Sequence, residues 1–198
     1  LVKLNKLERN WVLYDVGNSA FIMLVSTIIP IFFKNTAAAQ GVSAADSTAY
    51  WGYALSASTL IVAVLGPILG ALADTKGFKK PMFTLFMMLG VLGCAALAVP
   101  MQWLLFLAVF VIAKVGFNGS LIFYDSMLSD VTIDDRMDYV SSAGFAWGYI
   151  GSCIPFTISL GLILFADKIG LSAAVATGIG FALTSLWWLV ATLPLLKT

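Results

Sequence analysis

The sequence has no histidine and only two cysteines, Cys94 and Cys153, among 198 residues. Histidine is the commonest metal ligand and general base, so its absence removes most metal-site and acid–base enzyme readings. Both cysteines lie inside apolar runs, where they read as packing residues rather than a disulfide. Charge is scarce too: charged residues make up 11%, against about a quarter in a soluble domain. Eleven bases against ten acids give no basic surface for a nucleic acid. So few charges cannot coat a water-facing globule of this size. What is abundant is apolar: 61% hydrophobic residues and a mean hydropathy of +0.98. The chain reads as a bilayer protein. A span needs about 20 mostly apolar residues, so roughly 33 residues for each of six spans leaves short connections.

Six such runs separate. They cover about Trp11–Phe33, Tyr50–Ala73, Pro81–Val99, Met101–Leu128, Val140–Phe165 and Leu171–Leu196. Between them, Lys34–Ala49 is polar and alanine-rich, Asp74–Lys80 is charged and tight, and Ser129–Tyr139 is acidic. Lysine and arginine fall unevenly on alternate sides. Lys3, Lys6, Arg9, Lys76, Lys79, Lys80, Arg136 and Lys197 share one side, and Lys34 and Lys168 the other. The positive-inside rule then places both termini in the cytoplasm, in a chain integral to the cytoplasmic (inner) membrane. The segment Leu1–Arg9 spaces Leu1, Leu4 and Leu7 between bases, as a helix lying along the inner surface would. A signal peptide cleaved near Ala37–Ala39 is the rival reading, but Asp15 and Asn18 interrupt its apolar stretch.

An internal repeat is visible. Trp51-Gly52-Tyr53 returns as Trp147-Gly148-Tyr149, an offset of 96. Leu65–Leu69 echoes loosely in Leu160–Leu164 at 95, and Ala73-Asp74 in Ala166-Asp167 at 93. The units are residues 1–99 and 100–198, three spans each. An odd number of spans forces the second copy to insert upside down, and such inverted repeats place substrate sites near the bilayer midplane. The fold class expected is an all-α integral membrane protein with six helices in a 3+3 inverted repeat.

The loop between the second and third spans is the most specific signal. Gly70, Asp74 and Gly77 are followed by Lys79 and Lys80. Gly70 lets a neighbouring helix approach closely, and Asp74 can accept from a helix N-terminus or pair with a base. Gly77 permits the positive φ of a tight reversal, and the lysines hold the loop in the cytoplasm. This pattern resembles the signature of the major facilitator superfamily, half of whose fold is a six-helix inverted repeat. Phe78 stands where that family usually has arginine, which puts a full charge relay in doubt. Three further segments resemble one bacterial group related to the yeast vacuolar amino-acid effluxer of autophagy. They are Tyr14-Asp15-Val-Gly17-Asn18-Ser19-Ala20-Phe21, Trp51–Ser56, and Asp135–Ser142 continuing through Gly148-Tyr149-Ile150-Gly151. The resemblance implies solute export or exchange by a secondary transporter, with amino acids as the substrate class of its eukaryotic relatives.

Ionisable residues inside a span are costly and point to function. In the fourth span Lys114, Asn118, Leu121 and Asp125 share a helix face, with Lys114 and Asp125 about 16 Å apart along the axis. In the first span Asp15, Asn18, Ser19, Ile22 and Ser26 trace a similar stripe. Together they are the expected walls of a substrate cavity. Lys114 lies near the midplane, about 20 Å from the span's inner end, and no carboxylate shares its depth. Either it receives an anionic group of the solute, such as an α-carboxylate, or an acid from a second half pairs with it. Asp15 and Asp125 either carry a coupling proton or cap helix ends in interfacial water. Asp130, Asp134, Asp135, Asp138 and Arg136 read as a solvated loop, with Asp138 capping the fifth span. Gly144, Gly148 and Gly151 suit close helix packing, and Pro67 and Pro155 are candidate kinks.

The leading function is therefore the N-terminal half of an alternating-access transporter for a small polar solute, without cofactor or metal. A chain ending just after its sixth span reads as part of something longer, or as a subunit that pairs with a second copy. Its other partners are membrane lipids. A non-transporting scaffold is the competing class, and a buried Lys114 argues against it. An enzyme is not expected.

Overall fold

The computed structural model describes residues 3–197. Among them every regular element is helical: α1 (Lys6–Ser26), α2 (Ile28–Ala39), α3 (Ala44–Asp74), α4 (Lys79–Ala96), α5 (Trp103–Ser126), the short α6 (Leu128–Val131), α7 (Met137–Leu164) and α8 (Ala173–Leu196). Five of them, α3, α4, α5, α7 and α8, are long and apolar enough to cross a bilayer. With α1 and α2 counted as one bent span there are six. The all-α membrane bundle expected from composition is the fold observed.

The first span is broken, which hydropathy does not reveal. Its two halves bend by 41° at Thr27. Pro30, in the first turn of α2, has no N–H, and its ring crowds the carbonyl of Ser26. The Ser26 and Thr27 hydroxyls donate back to the carbonyls of Ile22 and Met23, at 3.0 and 2.6 Å. Such back-bonding satisfies the carbonyls at a bend and favours it. Helices α3 and α7 continue without a break through Pro67 and Pro155. Beyond the break α2 continues to Ala39, so most of the expected connection from Lys34 is helix and only residues 40–43 form the loop. Leu1 lies outside the described residues. From Lys6 onward the segment expected to lie on the membrane surface is instead the first turn of α1.

Helix α1 packs on α7 and α8, α4 on α5 and α8, and α3 chiefly on α5. Small residues set the closest approaches: Gly116 faces the backbone of Gly90, and a Cβ at Gly93 would stand 2.7 Å from that of Ala113. Trp188 is wholly buried where α8 meets Phe21 of α1 and Phe117 of α5, with ring centroids 5.5 and 5.9 Å away. Fully burying a large aromatic is worth a few kcal/mol in water, but inside a bilayer its value lies in close packing. At the end opposite the termini, the Gln40 side chain joins the loops by bonding the Met101 carbonyl and the Trp103 amide.

Candidate functional site

A cavity of about 480 Å³ opens between α1, α5 and α7 on the half of the bundle nearer the chain termini. Helix α1 supplies Trp11, Asp15, Asn18, Ser19 and Ile22 to its lining, and α5 supplies Phe117, Leu121, Tyr124 and Asp125. Residues 15, 18, 19 and 22 recur at three- and four-residue steps, which keeps them on one helix face. Four of the six expected cavity residues, Asp15, Asn18, Ser19 and Asp125, are thus gathered around one space.

The other two are not in the lining. Lys114 and Asn118 lie further along α5, both half-buried. The Lys114 ammonium stands 4.6 Å from the centroid of the Phe117 ring, and Phe117 in turn lines the cavity. Lys114 therefore neighbours a ring of the lining without belonging to the lining itself. No acid forms an ion pair with it among the described residues.

Three residues of α7 shape the wall over Asp15. A Cβ on Gly148 would stand 2.8 Å from Ser19 Oγ and 3.2 Å from Asp15 Oδ2, and one on Gly144 would meet the Trp11 ring at 2.9 Å. Gly151 meets the Val16 side chain even more closely. Without side chains at these steps, α7 lies directly on the acid-bearing face of α1. Their helix-packing role is as expected, but what they pack against is the candidate site.

Tyr124 was not anticipated. Its ring stacks on Trp11 at 4.2 Å, with the planes 12° apart, and the indole N–H donates to the Tyr124 carbonyl at 3.0 Å. Only 3% of the residue is exposed, yet its hydroxyl has no hydrogen-bond partner among the described residues. A buried polar group without a partner is rare and costly. No pattern marks Tyr124 in the sequence; only its place beside Asp125 could have drawn notice.

Below the cavity, toward the termini, charge is handled differently. Glu8 is wholly buried and takes Arg136 on both carboxylate oxygens, at 2.8 Å from Nε and 2.7 Å from the terminal guanidinium nitrogen. Thr132 Oγ1 and the Asn5 amide complete its shell at 2.8 Å each. Arg136 is thus no member of a solvated loop: it ties the α6–α7 connection to the start of α1. Its backbone also caps α7, the place expected for Asp138, which stands in the first turn. The sequence marks only the start of α1, where Asn5 and Glu8 form a capping box.

In the signature loop Gly77 adopts φ +86° and turns the chain between α3 and α4. Lys79 then donates to Asp130 at 2.6 Å and to the Ser126 carbonyl at 3.0 Å, fixing the loop to the end of α5. Lys80 and Asp74 are exposed, and no ion pair reaches either among the described residues. Gly70 faces open space.

Comparison with known proteins agrees with this architecture. A family model described as vacuole effluxer Atg22 like matches residues 5–135. An uncharacterized MFS-type transporter of Bacillus subtilis (strain 168), YxiO, is 47% identical over 200 residues, covering 98% of this chain and 47% of its own length. The chain spans about half the length of that relative. A six-span bundle, the glycine-turned loop between its second and third spans and these two matches lead to one assignment: the chain belongs to the Atg22-like family of major facilitator transporters.

Proposed function

We propose that this chain forms one six-helix half of a secondary active transporter that moves a small polar solute, of the amino-acid class, across the cytoplasmic membrane by alternating access. The observation that carries the reading is the cavity between α1, α5 and α7, where two carboxylates, an amide and the serine hydroxyls of Ser19 and Ser141 line one space inside a largely apolar bundle. Polar groups at membrane depth are kept where they meet water or a ligand. Its volume suits an amino acid, since small-molecule sites run from about 300 Å³ upward. Lys114 receives the solute carboxylate beside Phe117, and Asp15 or Asp125 is the place for a coupling proton. Residues 1–99 and 100–198 are the two inverted units, with both termini cytoplasmic.

The missing wall comes from a second six-helix unit. On α3, Gly52, Ser56, Thr59, Ala63, Gly66 and Gly70 fall on one face that ends at Asp74, and added Cβ atoms on the three glycines would meet nothing within 4 Å. Such a small-residue face suits close contact with another helix, and Asp74 would then find its partner across that contact. A second copy of the chain is the competing occupant of the same face, and the mass of the detergent-solubilised particle separates the two.

Counterflow of a labelled amino acid into liposomes holding the complete native chain tests the function. Uptake that Lys114→Gln abolishes, with the fold intact, is the expected result. Absence of counterflow for every amino acid tried would defeat the substrate class.

A further inference from the structure

The cavity is unbalanced in charge and in hydrogen bonding. Its lining holds Asp15 and Asp125 and no lysine or arginine. No base forms an ion pair with either acid among the described residues. Separate from the acids is the Tyr124 hydroxyl, buried and without a partner on the same wall. Around these groups stand the stacked Trp11 and Tyr124 rings, with Phe145 and Tyr149 of α7 exposed at the mouth. Carboxylates with aromatic faces attract a positive, partly apolar group, since a ring face draws a cation as a carboxylate does.

Size separates an organic cation from an inorganic one. A hard divalent cation wants six or more oxygens at about 2.0–2.6 Å, and no three acids, cysteines or histidines converge on one point among the described residues. A cavity of about 480 Å³ walled by rings is built for something larger. We infer that this cavity binds the protonated amine of the solute, held between Asp15 and Asp125. This deepens the transport reading and rests on it. It also gives the solute a direction: its ammonium end points toward the terminal side of the bundle, and any carboxylate toward Lys114.

Three probes read the two ends separately. L-phenylalanine carries both charges, its methyl ester keeps only the ammonium, and N-acetyl-L-phenylalanine keeps only the carboxylate. Binding to the complete native chain in lipid nanodiscs is measured by titration calorimetry. The ester is expected to bind, the N-acetyl compound to bind at least tenfold more weakly, and Asp15→Asn with Asp125→Asn to weaken the ester about tenfold or more. Asp125 is exposed, so Asp125→Asn alone keeps the fold and still weakens the ester. Tyr124→Phe is expected to raise the melting temperature of the ligand-free protein, because it removes an unpartnered hydroxyl. Failure of the ester to bind, equal binding of the N-acetyl compound, or unchanged affinity in the double variant would each overturn the inference. So would heat that follows sodium chloride in place of choline chloride rather than the ester. If Lys114→Gln leaves the affinity for phenylalanine unchanged from the parent, the carboxylate assignment at Lys114 fails and the ammonium site stands. If all three probes bind as expected yet no counterflow occurs, transport fails and the site stands.

Discussion

Glu8 and Asp15 lie seven residues apart on α1, about 20° apart around the helix and about 10 Å apart along it. They share a face and a chemistry but not a fate. Glu8 is sealed by a bidentate arginine, a threonine hydroxyl and a backbone amide. Asp15 faces a cavity that offers it no base. A buried charge that is fully satisfied fastens one part of a fold to another. A half-buried charge without a counter-ion is held ready for something outside the chain. The same helix therefore carries a fastening at one end and a binding group two turns later.

Substitutions sharpen or break that contrast. The largest loss of stability is expected from Arg136→Ala, which removes both charge-assisted bonds to Glu8 and releases the α6–α7 connection. The melting temperature in nanodiscs should fall by several degrees, and Glu8→Gln combined with Arg136→Gln should recover part of it. Next comes Gly151→Leu, which drives a side chain into Val16 and parts α7 from α1. Overpacking of this kind costs about 1–3 kcal/mol, read as a lower melting temperature together with weaker ester binding. Tyr124→Phe reverses the sign, stabilising the empty protein by about 1 kcal/mol as the unpartnered hydroxyl disappears. Smallest is Asp125→Asn, within about 0.5 kcal/mol of the parent because the residue is exposed. If Asp125→Asn proved as damaging as Arg136→Ala, the distinction between fastening and binding charge would collapse.

The spans, the tight turn at Gly77 and the stripe from Asp15 to Ser19 were legible because each rests on local rules: hydropathy over about 20 residues, a positive φ, and helical periodicity. The break at Thr27 was legible in principle, since Pro30 follows Ser26 and Thr27, whereas Ala63 and Val64 precede Pro67, and Gly151 and Ser152 precede Pro155, and both of those helices continue. Which proline breaks a helix depends on whether neighbouring groups can satisfy the freed carbonyls. The Glu8–Arg136 bond was hidden for a different reason. Its partners are 128 residues apart, and a charged loop at a membrane surface looks solvated until packing buries one member. Tyr124 illustrates the same limit, because an unpartnered hydroxyl is a property of three packed helices and of no segment alone.

The most direct test of the contrast is ligand-dependent melting of Glu8→Gln and Asp15→Asn side by side in nanodiscs, with and without phenylalanine methyl ester. Glu8→Gln should melt lower than the parent yet keep the rise that the ester produces. Asp15→Asn should melt at or above the parent and lose that rise. The opposite pattern, with Asp15→Asn unstable and its ester response intact, would contradict the assignment of Asp15 to binding.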